Sequence, residues 1–302
     1  MKKEATMAVQ LSRSTPSPLV KSAIALAVSA ALIQPSFADE TTTLTNSSVD
    51  STTNGATVSG DNSSVSVLNG QTIINWNAFG LASSETIDFT NTQGTMAGTV
   101  VLNRVIGADS SLIDGTITTS NIETLIFANS NGITVGDNFV NTGAATSNLM
   151  FSTKDIDSLT GYSVNGNNFG LTLGTDNNAD LVINGTISTI EPADYKLSLV
   201  SGNDITFGAT GNDGDKIATS FLTVTADGAV NGVNGILDVD GEVSISAAGN
   251  VTVNMIKSAP LFISTAGDIT VDQQANSLEI GQLEGANIDL TASQSTPFQL
   301  NS

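Results

Sequence analysis

Five segments in the second half of the chain repeat one theme: KLSLVSGNDITF (196–207), FLTVTADGAV (221–230), EVSISAAGNVTV (242–253), LFISTAGDITV (261–271) and SLEIGQLEGANIDL (277–290). In each, apolar residues two apart lead into a small or polar corner holding a glycine, and apolar residues return just after it. The corner glycines Gly202, Gly228, Gly249, Gly267 and Gly285 are spaced 26, 21, 18 and 18 residues apart. A drifting period near ~20 residues is what a solenoid produces, because each turn can bury its inward side chains only against its neighbours. One turn of a right-handed parallel β-helix consumes about that many residues. In EVSISAAGNVTV and LFISTAGDITV the registers coincide. Val243, Ile245, Val251 and Val253 are therefore expected to stack on Leu261, Ile263, Ile269 and Val271 as aliphatic ladders about 4.8 Å apart. Strands at this spacing also fit a β-sandwich, and the pattern alone leaves both architectures open.

Upstream, short alternating runs separated by turn residues continue the β signal: VSVLNG, TIINW, TIDF, TVVLN, LIFA, ITVG, LTL and LVIN. No stretch after the N-terminal region sustains helical spacing for three turns. Residues 39 to about 61 form a Thr/Ser/Asn-rich lead-in that suits a loose segment, an edge strand or a cap. FANSNGITVGDN (127–138) poses the sharpest local question. Asn-Gly between apolar runs normally marks a β-hairpin, but the repeat pattern and the ordered motifs around it make Asn129 to Gly132 an expected corner between successive parallel strands of a solenoid.

Composition removes several classes of chemistry. The chain has no Cys and no His, which excludes thiolate and imidazole metal sites, His-activated nucleophiles and His acid–base catalysis. Charged residues are only 13%. Lys2, Lys3, Arg13 and Lys21 precede the apolar run AIALAVSAALI (23–33), and QPSFA then leads to Asp39. This reads as a secretory signal peptide over residues 1–38 with a long basic n-region, cut between Ala38 and Asp39. The run is well short of the ~18 apolar residues that span a bilayer. Removing it leaves 28 acidic and five basic residues among 264, a net charge of −23. Such a chain is repelled by phosphates, so nucleic acid is not an expected partner.

Residues 72–143 carry five pieces in a fixed order: Ile74-Asn75-Trp76 with Phe79, Glu85-Thr86-Ile87-Asp88-Phe89, Leu102-Asn103-Arg104-Val105 with Gly107, Ser111-Leu112-Ile113-Asp114-Gly115, and Asn129-Ser130-Asn131-Gly132-Ile133 with Gly136. This order resembles the N-terminal secretion domain of two-partner secretion exoproteins, the family of filamentous haemagglutinins, high-molecular-weight adhesins and related haemolysins. Two departures stand out: Ser130 takes the place of the family's proline, and GAATSNLMFST replaces its Gly-Gly-Leu-Val-Ala-Ser-Thr run. The resemblance implies an all-β, right-handed parallel β-helix with N-terminal capping strands, spanning 39–302. It also implies a secreted or cell-surface protein of a Gram-negative bacterium, taken into the periplasm by the Sec machinery. From there a partner outer-membrane β-barrel transporter with periplasmic POTRA domains carries it out. The expected role is that of an adhesin or haemagglutinin meeting a host or bacterial surface receptor, with no cofactor.

Individual residues admit two readings each. Trp76, the only Trp, with Phe79, suits core or cap packing at the start of the solenoid, or an anchor for a partner. Arg104 lies in an apolar strand and must point outward or be paired, orienting a nearby carboxylate such as Asp88 or Asp109, and the sharper reading is a catalytic or ligand-clamping arginine. Asn129 and Asn131 suit an Asx-turn, and Gly132 tolerates positive φ. With Asn75, Asn103 and Ile133, these residues are the candidates for transporter recognition or for nucleating the first rungs. The pairs Asp213 with Asp215 and Asp238 with Asp240 could attract a hard cation, but they lack calcium-loop spacing and read as solvated carboxylates.

Two rival functions remain at this point. A β-helical polysaccharide lyase or hydrolase would need acids and bases converging on one groove, yet the basic residues are scattered at 104, 154, 196, 216 and 257. A passive fibre segment would need no site. The sequence stops at FQLNS without an evident cap, so the expectation is a truncated product or a fragment whose end exposes a pairing edge.

Overall fold

The computed structural model describes residues 44, 46–142, 148–159, 172–173, 178–188, 195–208, 215–275, 277–292 and 299–301. Ala38, Asp39 and Asp213 lie outside the described residues, as does the signal segment. Every regular element among the described residues is a β-strand, and three sheets run along one axis. The first sheet joins strands Ser48–Thr52, Gln71–Ala78, Val100–Val105, Thr124–Asn129, Asn148–Ser152, Lys196–Ser201, Phe221–Ala226, Val243–Ala247, Pro260–Thr265, Ser277–Glu284 and Gln299–Asn301 in chain order. The second runs from Ser111–Ile113 through Ile133–Val135, Leu181–Ile183, Ile205–Phe207, Val230–Val239, Val251–Met255 and Ile269–Gln273 to Ile288–Ala292. The third joins Thr57–Val58, Ser64–Val67, Thr86–Asn91, Thr116–Ser120 and Val140–Thr142.

Past the first strand of the first and third sheets, successive strands within a sheet are parallel, so the chain returns to the same sheet after each circuit. This is a β-helix and not a sandwich. Val100 pairs with Thr124 and Thr124 with Asn148, an early turn of 24 residues. Val243 pairs with Leu261, a late turn of 18. The shortening has a structural cause: an early turn passes through all three sheets, whereas the late turn contains only Val243–Ala247 and Val251–Met255. The ladders read from the repeats form as expected, with Val243 opposite Leu261, Ile245 opposite Ile263, Val251 opposite Ile269 and Val253 opposite Val271.

The lead-in is a cap. Ser48–Thr52 pairs antiparallel with Gln71–Ala78, and Thr57–Val58 pairs antiparallel with Ser64–Val67, so the first parallel rungs are not left with bare backbone edges. Beneath the cap the core is aromatic. Phe127 contacts Phe79 at 5.2 Å and Phe89 at 6.1 Å between ring centroids, and stacks on Phe151, its register partner, at 5.7 Å. Toward the C-terminal end the same inward column is aliphatic, through Leu199, Val224, Ile245 and Ile263. Phe127→Ala removes the ring on which three others rest and is expected to cost about 3–5 kcal/mol of stability. Urea unfolding followed by Trp76 fluorescence measures it, and a loss below about 1 kcal/mol would remove the stack from the centre of the fold.

Candidate export determinant at the N-terminal rungs

Asn75, Trp76, Asn103, Arg104 and Asn129 lie on three adjacent strands of the first sheet, and the register decides what each one meets. Asn75 is opposite Arg104, and Arg104 is opposite Ala128. Alternation along Gln71–Ala78 turns Trp76 inward, where it is fully buried, and Asn75 outward. Trp76 Nε1 donates to Asn103 Oδ1 at 3.1 Å, and Asn103 Nδ2 donates to the Ile126 carbonyl at 3.3 Å. Asn103 is an amide in a hydrophobic core, satisfied by the one indole above it and the next rung below it. Phe79 packs edge-on against Trp76 at 5.0 Å. The packing reading of Trp76 and Phe79 therefore holds, since neither ring is available to a partner in the folded molecule.

Arg104 corrects an expectation. It does not pair with Asp88 or Asp109; its Nε donates to Asn75 Oδ1 at 2.9 Å and its Nη1 donates to the Ile156 carbonyl at 3.3 Å. Asp88 instead accepts from the hydroxyls of Thr90 and Thr118 in the third sheet. Asp88 and Arg104 are close in the motif order but stand on different sheets, which is why sequence proximity misled.

FANSNGITV is a corner. Thr124–Asn129 belongs to the first sheet and Ile133–Val135 to the second, and they do not pair with each other. The Asn131 N–H donates to Asn129 Oδ1 at 2.9 Å, forming the Asx-turn, and the Gly132 N–H donates to the Asn129 carbonyl at 3.1 Å. Gly132 sits at φ +110°, a conformation open to glycine, and its carbonyl accepts from the Ser111 N–H at 3.0 Å. Asn129, only 1% exposed, also donates through Nδ2 to the Asp109 carbonyl and to Ser111 Oγ, both at 2.9 Å. Asn131 is exposed, and its Nδ2 reaches the Gly107 carbonyl at 2.8 Å. Ile133 is buried opposite Ser111. Both asparagines thus tie their own rung to the previous one, across 18 to 24 residues of chain.

The acidic pair near the C-terminal end is neutralised within the protein. Lys216 and Lys257 each reach Asp238 at 2.8 Å, and Lys257 also reaches Asp240 at 2.6 Å. No cluster of three or more carboxylates suited to a metal ion occurs among the described residues. Lys216 and Lys257, scattered in the sequence, are brought onto the Asp238 and Asp240 pair here, and the charges are spent on one another.

Residues 36–296 match the family model described as TPS secretion domain, TPS standing for two-partner secretion. The chain belongs to the TPS secretion domain family. Solved structures similar to this TPS domain include the filamentous hemagglutinin secretion domain, at 15% identity, a TM-score of 0.49, and coverage of 85% of this chain and 100% of that one. Another is the HMW1 secretion domain from Haemophilus influenzae, at 16% identity, a TM-score of 0.40, and coverage of 84% and 76%. No curated protein matches in sequence. The TPS domain makes this chain a two-partner secretion substrate: an exported protein of Gram-negative type whose general partner is an outer-membrane transporter. The matched family is one of secretion domains and not of enzymes.

Two measurements test the site. Asn129→Ala removes the amide from the buried Ser111 hydroxyl and from the part-buried Asp109 carbonyl and Asn131 N–H, and is expected to cost about 2–3 kcal/mol, against roughly 1 kcal/mol or less for exposed Asn131→Ala. Equal losses in urea unfolding would contradict this order. The second concerns pH. Burial works to raise the Asp238 pKa, but hydrogen bonds and charge from Lys216 and Lys257 offset it and hold the carboxyl below its ordinary value. Its contribution is thus present above the ordinary carboxylate pKa of ~3.9 and is lost as pH falls through the lowered folded value. The stability gap between wild type and Asp238→Asn, read by thermal unfolding, should be constant near neutral pH and shrink below about pH 4.

Proposed function

We propose that residues 1–38 direct the chain to the Sec machinery, that cleavage between Ala38 and Asp39 releases residues 39–302 into the periplasm, and that the transporter engages the chain there through POTRA domains. The first rungs, with Asn75, Trp76, Phe79, Asn103, Arg104, Asn129, Asn131, Gly132 and Ile133, act by nucleating the β-helix. The observation that carries this reading is the buried Asn129, whose three side-chain hydrogen-bond partners lie on its own corner and the rung before it. A rung closed by such bonds gives the next strand a finished edge, so folding outside the cell biases passage outward. After export the protein remains at the surface or in the medium as an adhesin or haemagglutinin meeting a host or bacterial receptor. That last part is supported by the resemblance of residues 72–143 to haemagglutinins and adhesins.

Expression with and without the cognate transporter tests the export route, since equal appearance in the medium would sink it. Trp76→Ala and Asn131→Ala variants in the same assay test the nucleating rungs. Secreted protein should fall several-fold for Trp76→Ala, which loses a buried ring, and less for Asn131→Ala. Normal export of both would separate these motifs from secretion.

A further inference from the structure

The outer face of the first sheet is apolar where a solenoid exterior is ordinarily wet. Ile73, Leu102, Ile126 and Met150 are register partners on four successive strands, and their column faces away from the main core. With Val100, Ala128 and Val200 they form a second buried cluster, completed by Ile156 and Leu159. Beyond Val200 the exterior becomes polar, with Thr223 exposed and Thr225 half-buried on the next strand. The two residues that close the cluster belong to no rung. Ile156–Ser158 pairs antiparallel with Thr172–Leu173 outside the three sheets, a strap laid over the apolar face.

One side chain connects this strap to the cap. Arg104 Nη1 donates to the Ile156 carbonyl at 3.3 Å, Arg104 Nε donates to Asn75 Oδ1 at 2.9 Å, and Asn75 Nδ2 donates to Ser51 Oγ at 2.9 Å. Ser51 lies in the antiparallel capping strand Ser48–Thr52. The amide of Asn75 accepts on one side and donates on the other, so both its bonds are satisfied only when cap and arginine are in place together. The guanidinium is fixed by that amide before it meets the strap, which spares it the rotamer entropy a free arginine would lose.

We propose that Arg104 is the clasp of the strap, and that the relay Ser51–Asn75–Arg104–Ile156 couples closure over the apolar face to docking of the N-terminal capping strand. An uncapped molecule leaves Asn75 without its cap partner, orients Arg104 poorly and lets the strap open; a capped one holds it shut. Arg104 is thus a positioning residue: it stays within the chain, and its acceptors are an amide oxygen and a backbone carbonyl in place of a carboxylate.

The experiment is hydrogen exchange on the purified secreted protein, with binding of an apolar fluorescent dye as a second readout and Trp76 emission confirming that the rungs are intact. Arg104→Gln and Asn75→Ala are expected to speed exchange of the Ile156–Leu159 amides about tenfold and to raise dye binding, the equivalent of one charge-assisted hydrogen bond. Ser51→Ala, made at the exposed end of the relay and touching nothing in the strap, should speed the same amides to a smaller extent. Ile156→Asp opens the strap directly and sets the scale. If Ser51→Ala and Asn75→Ala leave strap exchange and dye binding at wild-type levels while Ile156→Asp raises both, the coupling is overturned, because an arginine that merely packs would not transmit a change made at the cap.

Discussion

Parallel backbone pairing in strict register is the interaction on which everything else in this molecule depends. Once Thr124 is opposite Asn148 and Phe127 opposite Phe151, the alternation of each strand decides which side chains form columns inside and which face out. A slip by one residue would turn Leu125 and Phe127 toward the strap and bring Thr124, Ile126 and Ala128 into the main core in their place, breaking the aromatic column. The columns themselves then guard the register, since rings and branched chains stack on their like with little tolerance for a gap. One polar intrusion in the early rungs, Asn103, is held by Trp76 from the rung above, so the single indole serves packing and polar satisfaction together.

The early rungs differ from the late ones in thickness as well as in circumference. Strands Val100–Val105, Thr124–Asn129 and Asn148–Ser152 are buried on both faces, because the main core lies on one side and the strap on the other. Late strands such as Val243–Ala247 alternate between buried and wet. The motif-bearing stretch is therefore held on both faces. Cap, rungs, corner asparagines and strap all meet within it, which suits a region that must become ordered as a unit at the start of a long solenoid.

Much of this was legible because it is local. The repeats in 242–253 and 261–271 matched position for position, and their ladders formed accordingly. The Asx-turn at Asn129 is written in four consecutive residues and needs no distant partner to be recognised. The strap was not anticipated, although a signal for its apolar floor was present: VVLNRV, TLIFAN and NLMFS carry apolar residues at successive positions where half-buried strands alternate. Arg104 was read correctly as a residue needing a partner and wrongly as needing a carboxylate. Its acceptors are an amide 29 residues back and a carbonyl 52 residues ahead, and neither distance leaves a trace in composition or period.

The sequence by itself determined an all-β chain, its drifting period, the chemistry of its corners and the family that its ordered motifs resemble, and it was that resemblance which pointed to a β-helix. Those properties reside in side-chain alternation, in glycine and asparagine at turns, and in the spacing of like residues, all of which act over one turn of chain or less. Only the tertiary structure decided that the corner at Gly132 separates two sheets, that the late turns are shorter because they carry no strand of the third sheet, and that one arginine joins the strap to the cap. These depend on which rung lies against which. That is fixed by cooperative stacking of the whole column, and a contact across many rungs has no counterpart in any short stretch of sequence.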